Sequence, residues 1–342
     1  MFVMLLLKSN YLRAIREHSP TVFIRVIKSL TTCLLSLSIS LSCFFTMTAS
    51  LGTDIWLTDL SSHFPLQYLI VQLLGMALLL KFRPRAYLAL GFALVILISL
   101  NTAKVYAYYW PQAPASQAKS VVPKLKILHM NVLFLNQNYS TVDKLLITTK
   151  ADIVSLQELT PTWYKALEHK KGLKRFPYRI KELESGNVLL SRIPFKKSKI
   201  ITVSAISPQN SILYAEIPLE GKTISVVTLH PHITVSSYDE NRYLQHFQEL
   251  DRLSYSPYRV LIGDLNTTPW SMHYSKFLKL MDLKDARAHQ GFYPTWNAFK
   301  PFFYIPIDHV FVSQNFQPLY QKVGPFIGSD HLPVYMELAL GK

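Results

Sequence analysis

Cysteine is nearly absent from this chain of 342 residues: only Cys33 and Cys43 occur, both in one apolar segment near the N-terminus. The rest of the chain therefore has no disulfide framework and no cysteine nucleophile. This absence is compatible with any cellular compartment. Acidic residues are also scarce, since 21 Asp and Glu stand against 36 Lys and Arg.

Three long apolar segments lie in the first 110 residues. They run between Lys28 and Asp54, over Phe64–Leu80 and over Ala86–Ala103. Each has about 17 to 25 residues without a formal charge, the length that the hydrocarbon core of a bilayer requires. One such segment could be a buried core helix, but three in succession predict three transmembrane helices. Residues 1–110 are therefore predicted to form a membrane module.

The charges between these segments predict their orientation. The loop between the first two segments carries Asp54 and Asp59 and no Lys or Arg. By the positive-inside rule, the N-terminus and the second loop are cytoplasmic, and everything after the third segment lies outside. We expect a multi-pass protein of a bacterial inner membrane with a periplasmic C-terminal domain; a cleaved signal peptide is the alternative for the first segment. The basic residues that set this orientation are Lys8, Arg13, Arg16, Arg25, Lys28, Lys81, Arg83 and Arg85.

A linker rich in Pro and Ala, residues 111–123, precedes the predicted globular domain, residues 124–342. The domain has about 220 residues, enough for a sizeable core. Beyond residue 110 the chain has 27 Lys and Arg and 18 Asp and Glu, a surplus of +9. This surplus favours an acidic partner such as nucleic acid, a phospholipid headgroup or a phosphorylated sugar, and is equally compatible with a basic surface beside an anionic leaflet.

Short apolar or alternating runs interleaved with helical stretches predict an α/β domain. The predicted strands are Leu125–Met130, Asp152–Leu156, Thr223–Leu229, Arg259–Ile262, Val310–Val312 and Leu332–Leu338. The predicted helices are Val142–Lys150, Thr162–His169 and Tyr238–Leu253.

Polar residues suited to phosphate chemistry stand where these strands begin or end. In Gly263–Asn266 a carboxylate and a carboxamide follow a buried run, which suits a phosphoryl group approached by water or a cation. Each such residue alone could be a turn former or a cap. Their recurrence at strand ends indicates one shared site. The set is Asn131, Glu158, His230, Asp264, Asn266, Asp308, Asp330 and His331.

This set resembles the endonuclease/exonuclease/phosphatase superfamily, which includes pancreatic-type deoxyribonucleases, abasic-site endonucleases, bacterial sphingomyelinases and inositol polyphosphate 5-phosphatases. The resemblance runs from Pro123 to the C-terminus and implies a four-layered α/β sandwich, with two mixed sheets between helices and a site at one edge. Its motifs, in family order, are HMNVLF, DIVSLQEL, GNVLLSR, TLHPH, GDLN, IDHVFVS and GSDHLPV.

The resemblance implies a divalent metal ion. Glu158, with Asn131 nearby, would hold Mg²⁺, or Mn²⁺ as the alternative, because only hard oxygen ligands are offered. Asp330 would complete the metal shell.

The resemblance also implies catalytic roles. His331 would be the general base for an attacking water, with its imidazole oriented by Asp308. Asp264 would align the water or the leaving group, and His230 and Asn266 would stabilise the phosphoryl oxygens. Which of Asp264, Asp308 and His331 takes the proton stays open.

Three further residues are candidates for substrate binding. His232 and Arg242 lie close in sequence to His230, and Trp296 could stack on a base or a sugar. The alternative for His232 and Arg242 is a solvated surface position, and the alternative for Trp296 is an aromatic of the core or the rim. A histidine in TLHPH is typical of the deoxyribonuclease, sphingomyelinase and inositol phosphatase branches and not of the abasic-site repair branch.

Two functions of different class follow from these observations. The first is a membrane-anchored, metal-dependent phosphodiesterase or phosphatase acting outside the cytoplasm on a nucleic acid, lipid or sugar phosphate. The second is a non-catalytic membrane-anchored module that binds an anionic ligand or partner. The complete polar set favours the enzyme, since a binding module would be free to lose its base. No protein partner is inferred.

Overall fold

The computed structural model describes residues 20–52, 55–82, 88–111, 124–203 and 211–341. The predicted linker residues 112–123, and Asp54, Arg83 and Arg85, lie outside this range. The chain divides into two compact units, residues 1–48 with 66–102 and residues 49–65 with 103–342. The second unit thus includes two short segments that the sequence placed with the membrane module. The assignment of domains stays a prediction.

The N-terminal part of the chain is helical. Its helices are α1 (Pro20–Ser50), α2 (Trp56–Ser62), α3 (Pro65–Phe82) and α4 (Leu88–Tyr109). Among the described residues, α1 and α4 are long and apolar enough to cross a membrane, whereas α2 and α3 form a pair bent by 66° that would count as one further span. Of the three predicted spans, two correspond to single helices that could cross a membrane, and the second corresponds only to part of the bent pair. The break falls before Pro65, whose nitrogen has no hydrogen to donate to the preceding turn.

A buried polar cluster joins three helices of the first unit. The Asn101 amide on α4 donates to Thr46 Oγ1 on α1 at 2.9 Å and to Gln72 Oε1 on α3 at 3.1 Å. The Gln72 amide donates to the same threonine oxygen at 2.9 Å. Hydrogen bonds of this kind stabilise the association of helices in an apolar environment. They join α1, α3 and α4 in a single bundle.

The second unit contains two six-stranded sheets. Its strands are β1 (Lys124–Asn131), β2 (Ile153–Gln157), β3 (Tyr178–Glu182), β4 (Asn187–Ser191), β5 (Lys197–Thr202), β6 (Ser211–Leu219), β7 (Lys222–Leu229), β8 (Tyr258–Asp264), β9 (Lys284–Asp285), β10 (Asp308–Val312), β11 (Phe316–Val323) and β12 (Val334–Leu340). Its further helices are α5 (Tyr139–Thr148), α6 (Pro161–Glu168), α7 (Lys171–Lys174), α8 (Ser237–Asp251) and α9 (Met272–Met281), with a 3₁₀ turn at Pro301–Phe303.

The first sheet has the order β11-β12-β1-β2-β4-β3 and the second the order β5-β6-β7-β8-β10-β9. Each sheet has one parallel pair at its centre, β1 with β2 and β7 with β8, and its other pairs are antiparallel. The C-terminal ends of a parallel pair lie at the same sheet edge. An antiparallel neighbour begins at that edge. Strand ends and strand beginnings therefore meet there.

Three clusters of buried apolar side chains define the layers. One joins the two sheets, for example Ile127 of the first with Ile262 of the second. Another lies between the first sheet and α5 to α7, around Trp163. A third lies between the second sheet and α8 and α9, around Phe247 and Phe277. The expectation of two mixed sheets flanked by helices is confirmed.

Gly263 permits a close approach between strands near the site. A Cβ atom at this position would lie 2.1 Å from the carbonyl oxygen of Leu229 on β7 and 2.9 Å from Nε2 of Gln157, which belongs to the other sheet. Since the first contact is with backbone, no side-chain rearrangement could relieve it. The glycine of the Gly-Asp-Leu-Asn motif therefore lets β7 and the Gln157 side chain pack against β8.

Candidate active site

The polar residues predicted at strand ends lie at one edge of the two sheets. Asn131 ends β1, Glu158 follows β2 and His230 follows β7. Asp264 ends β8, and Asp308, the first residue of β10, is its antiparallel partner. Strand topology thus brings together side chains that are as many as 177 positions apart in the sequence, from Asn131 to Asp308.

Asp308 is buried between two histidines. Its Oδ1 lies 2.8 Å from Nε2 of His129, and its Oδ2 lies 2.9 Å from Nδ1 of His331. Burial alone would raise the pKa of this carboxyl, but the charge of His331 and the hydrogen bond with His129 hold the pKa well below its usual range. Asp308 is therefore ionised and fixed in orientation at both oxygens.

His331 stands between two carboxylates. Its Nδ1 faces Asp308, and its Nε2 lies 3.4 Å from Oδ2 of Asp264. Burial disfavours the charged imidazole, but Asp308 and Asp264 outweigh burial and raise the pKa of His331 to about 10. At neutral pH the side chain is an imidazolium.

Asn131 connects Asp264 with Glu158. Its amide donates to Oε1 of Glu158 at 2.9 Å and to Oδ2 of Asp264 at 3.1 Å. The second oxygen of Glu158 accepts from the backbone N–H of Phe134 at 3.1 Å. Glu158 has φ +56°, a left-handed conformation that is uncommon outside glycine and is found at functional sites. These contacts fix the carboxylate at the edge of the sheet.

His230 and Asn266 complete the arrangement around Asp264. Nε2 of His230 lies 3.5 Å from Oδ2 of Asp264. Burial would lower the pKa of His230, but Asp264 outweighs burial and raises it. The Asn266 side chain donates to the carbonyl of Pro231 at 3.0 Å, and its backbone N–H donates to Oδ1 of Asp264 at 2.9 Å. Two potential donors to an anion therefore flank one buried carboxylate.

The comparison with protein families decides the identity of the fold. The profile described as the endonuclease/exonuclease/phosphatase family matches residues 128–331. The chain belongs to this family. Its members are generally metal-dependent hydrolases of phosphate esters. The matched residues include every candidate of the active site, from Asn131 to His331.

Solved structures show the same fold. A family member from Bacteroides thetaiotaomicron is 18% identical, with a TM-score of 0.53, and covers 65% of this chain and 100% of its own. One from Beutenbergia cavernae is 20% identical, with a TM-score of 0.52, and covers 64% of this chain and 72% of its own. D. rerio TDP2 with a single-strand DNA product is 18% identical, with a TM-score of 0.52, and covers 63% and 98%. No curated protein matches the chain.

The site fits the divalent metal ion that the family generally uses. Its potential ligands are carboxylate, amide and imidazole groups, and no cysteine is near, which suits a hard cation. Oδ1 of Asp330 is buried and has no hydrogen-bond partner among the described residues, while Oδ2 accepts from Trp296. An oxygen of this kind is costly unless it meets a cation or a water.

Two ligand sets are open to a cation. Glu158, Asn131 and Asp330 were predicted from the sequence. Asp264, Asp308 and His331 each offer one atom, and these three atoms lie within 4.8 Å of one another. A cation held by the second set would have to displace the proton of His331, whose pKa is raised. The set with Glu158 offers oxygen ligands alone, which suit a hard cation.

The three predicted substrate residues have definite partners. Nη2 of Arg242 lies 2.7 Å from Nε2 of His232, and both side chains are half-buried. Burial and the Arg242 charge lower the pKa of His232. Trp296 uses its indole N–H to hold Oδ2 of Asp330 at 2.9 Å. Its polar group therefore positions a candidate metal ligand; binding of substrate by these three residues stays a prediction.

Two residues of the site escaped the sequence analysis. His129 bonds Asp308, and Gln157 joins the sheets, since its amide donates to Leu229 O at 2.5 Å and its Oε1 accepts from Asp264 N at 2.8 Å. Both lie inside motifs already noted, His129 two residues before Asn131. In the sequence each occupies an ordinary strand position. Its hydrogen-bond partner can be identified only from the packing of the two sheets.

Residues bordering the apolar helices support the loop that follows Asn266. Oδ1 of Asp59 on α2 accepts from the Ser271 hydroxyl at 2.6 Å and from Met272 N at 3.0 Å, at the start of α9. Nδ1 of His63 lies 2.9 Å from Oγ1 of Thr268. The loop between Asn266 and α9 is thus held by side chains of residues 49–65.

The last turn of α4 reaches a second buried network. Tyr108 donates to Oδ2 of Asp285 at 3.0 Å, and Nδ1 of His309 lies 3.2 Å from the same oxygen. The other nitrogen of His309 bonds the carbonyl of Thr267 at 2.9 Å. Arg287 beside this network donates to the carbonyl of Asp308. The start of β10 and the loop after Asn266 therefore contact a hydrogen-bond network that includes Tyr108 of α4.

Proposed function

We propose that this protein is a membrane-anchored hydrolase of phosphate esters that depends on a divalent metal ion and acts outside the cytoplasm. One observation supports hydrolysis above all: Asp308 is ionised between His129 and His331, and Asp264 lies beside His331. Ionisable groups buried together and shifted in opposite directions are typical of catalytic sites. Membership of the family provides the reaction class.

Glu158, Asn131 and Asp330 are the proposed residues that hold the cation, with Mg²⁺ preferred and Mn²⁺ as a substitute. A bound cation would neutralise negative charge on the phosphoryl oxygens of the substrate. Oxygen ligands alone, with one oxygen of Asp330 lacking a partner among the described residues, support this assignment. Trp296 and Phe134 are positioning residues, since each donates a hydrogen bond to one of the carboxylates.

Asp264 and His331 are the proposed pair that handles the proton of the attacking water. Burial would raise the pKa of Asp264, but the charge of His331 and the hydrogen bond from His230 lower it, so that the carboxylate is unprotonated at neutral pH. His331 is already protonated there. We therefore assign Asp264 as the first acceptor of the proton, in place of His331. Asp308 acts by keeping the imidazole charged and aimed at Asp264.

His230, Asn266 and the imidazolium of His331 are proposed to bind the phosphoryl oxygens. His230 carries a raised pKa and so a larger share of positive charge at neutral pH. The Asn266 side-chain amide donates to the carbonyl of Pro231, and the backbone N–H of Asn266, which has φ +49°, donates to Oδ1 of Asp264. Donors placed before the reaction stabilise charge that develops in the transition state.

Membrane anchoring rests on the apolar helices and on the charge pattern. Helices α1 and α4 meet the length and hydropathy of membrane spans, and the buried polar cluster joins α3 to them. With three spans and a basic N-terminal flank, the positive-inside rule places the hydrolase domain on the outer face, in the periplasm of a bacterium.

A screen of the full chain in detergent tests this function. It would be offered bis(p-nitrophenyl) phosphate, single-stranded DNA, RNA and phospholipids with Mg²⁺, beside Asp264→Asn as the inactive reference. We expect hydrolysis of at least one ester by the wild type and a loss of at least ~10²-fold in the variant. Equal rates for both proteins on every ester would contradict the proposal.

A further inference from the structure

Large apolar side chains are exposed on a loop next to the candidate active site. Phe299, Phe302, Phe303 and Phe326, here called the aromatic patch, are each between 44% and 54% exposed. Since a phenylalanine side chain has about 200 Å² of surface, the four expose roughly 400 Å² together. Apolar patches of this size on a folded protein mark an interaction surface.

The aromatic patch is fastened to the loop that carries Asp330. The ring centroid of Phe299 lies 5.8 Å from that of Phe326 in an edge-to-face pair. Ala298, directly before Phe299, donates its N–H to the carbonyl of Asp330 at 2.7 Å. Phe326 stands two residues before Gly328, where the Gly-Ser-Asp-His motif begins. Any surface that covers the patch therefore lies beside the proposed metal ligand.

The aromatic patch also borders the start of an apolar helix. The ring of Phe303 packs edge to face on Phe64, with centroids 6.4 Å apart. Phe64 is followed directly by Pro65, the first residue of α3. Because Asp59 bonds α2 to Ser271, we take α3 alone as the span. Phe64 then stands at the end of a membrane helix, where aromatic residues lie at the level of the lipid headgroups. The exposed Lys300, within the patch, provides the cation that commonly accompanies such aromatics at an anionic leaflet.

Two other loops of the site also expose apolar side chains. Phe134 and Leu135, which follow the metal-binding loop of Asn131, are 55% and 71% exposed. Ile233 and Val235, after the His230 loop, are 50% and 46% exposed. Bases of single-stranded nucleic acids can stack on aromatic rings, but the aliphatic side chains of Leu135, Ile233 and Val235 offer no such surface and suit acyl chains.

We propose that the aromatic patch lies in the boundary between headgroups and acyl chains, and that the substrate is a phosphate ester of a lipid in that membrane. The substrate class rests on the proposed function, whereas the contact with the bilayer does not. Two features place the patch there: the exposed apolar rim of the site, and the contact of Phe303 with Phe64, which directly precedes α3.

Quenching by brominated lipid tests the contact. The full chain carrying Phe299→Trp is reconstituted in vesicles of phosphatidylethanolamine and phosphatidylglycerol, with or without bromine on the acyl chains. Ile200→Trp is the matched control, because Ile200 is 49% exposed on the edge strand β5. The fluorescence added by the indole at position 299 should fall by roughly half or more in brominated vesicles, and that added at position 200 should not. Equal quenching at the two positions, or none at position 299, overturns the contact.

A matched pair of esters tests the substrate class. Hexadecyl p-nitrophenyl phosphate in the same vesicles is compared with soluble bis(p-nitrophenyl) phosphate and with a single-stranded oligonucleotide. The double variant Phe299→Ser with Phe326→Ser should lose about tenfold on the vesicle ester and keep its rate on the soluble ester, whereas Ile200→Ser changes neither.

An unchanged rate on the vesicle ester, or faster cleavage of the oligonucleotide by the wild type, overturns the lipid assignment. Absence of hydrolysis of every ester overturns the lipid assignment together with the proposed function. The quenching result is independent of both, because the experiment needs no turnover. Quenching at position 299 alone then supports the contact, and hydrolysis of the soluble ester alone supports the proposed function.

Discussion

Replacing Asp308 by Asn should change the pH range in which the enzyme works. Asp308 is the largest of the three carboxylate contributions, with Asp264 and Asp330, that raise the pKa of His331 to about 10, from an ordinary value of 6.5. This difference corresponds to roughly 5 kcal/mol in favour of the imidazolium. Without the Asp308 charge, the pKa of His331 in the variant should fall from about 10 toward its ordinary value of 6.5.

The rate of hydrolysis should fall as His331 loses its proton. At pH 9 the wild-type imidazole stays mostly charged, whereas in Asp308→Asn a larger share of it would be neutral because its pKa is lower. We expect kcat/KM of the variant, relative to the wild type, to fall about tenfold as pH rises from 7 to 9. This fall comes in addition to any loss that the variant already shows at pH 6. The opposite sign, a variant that works better than the wild type as pH rises, would mean that neutral His331 is the base.

Two measurements check this prediction in the full chain. The first is the pH profile of bis(p-nitrophenyl) phosphate hydrolysis for the wild type, Asp308→Asn, His331→Ala and the double variant. His331→Ala should lose at least ~10²-fold, and the double variant should be little worse, because the two residues act as one unit. If the two losses multiply, they act independently and the reasoning is wrong.

The second measurement is the titration of the His331 imidazole by NMR with labelled histidine, assigned by its absence in His331→Ala. An unchanged pKa in Asp308→Asn would refute the electrostatic argument. The same raised pKa links pH to folding. The contribution of His331 to stability is complete below about pH 6.5 and is lost as pH rises through about 10.

Three further predictions concern topology and stability. Alkaline phosphatase fused after Lys342 should be active and fused near Arg83 inactive; an inactive C-terminal fusion would overturn the three-span orientation. Asp59→Ala removes the acceptor of two hydrogen bonds at the start of α9 and should lower the free energy of unfolding by about 1 to 2 kcal/mol, measured as a lower Tm. The exposed control Asp251→Ala should lower it by less than about 0.5 kcal/mol. Gly263→Ala should prevent stable folding, since its Cβ would meet backbone at 2.1 Å; a wild-type Tm would contradict this.

Six of the twelve strands in the described residues, β1, β2, β7, β8, β10 and β12, could be predicted because their apolar runs leave local signals. The run Thr223–Leu229 is β-branched and ends at a His-Pro turn, and the structure has β7 at Lys222–Leu229. The helix predicted at Tyr238–Leu253 appears as α8, Ser237–Asp251, because Ser236 caps its first turn. By contrast, β5 and β11 were not predicted. They are edge strands with exposed polar residues, so they lack the alternation that a half-buried strand shows.

The site residues could be named from their motifs, but their partners could not. The bond of His129 to Asp308 spans 179 positions, and the contact of Asp59 with Ser271 spans 212. Such pairs depend on how two sheets and a loop pack, which no local pattern records. The protonation of His331 likewise follows from two carboxylates on other strands. The structure likewise adds a contact of Trp296 that the sequence did not suggest, its N–H bond to Asp330, and the stacking role of Trp296 stays a prediction.

Dependence of hydrolysis on a divalent cation tests the central claim most directly. The full chain in detergent is treated with EDTA, assayed on the most reactive ester and titrated with Mg²⁺ for the wild type, Glu158→Gln and the exposed control Glu168→Gln. We expect no hydrolysis in EDTA, recovery with Mg²⁺ or Mn²⁺, and a Mg²⁺ requirement that rises about tenfold or more in Glu158→Gln alone. Full activity in EDTA, or the same Mg²⁺ requirement in all three proteins, would contradict the account.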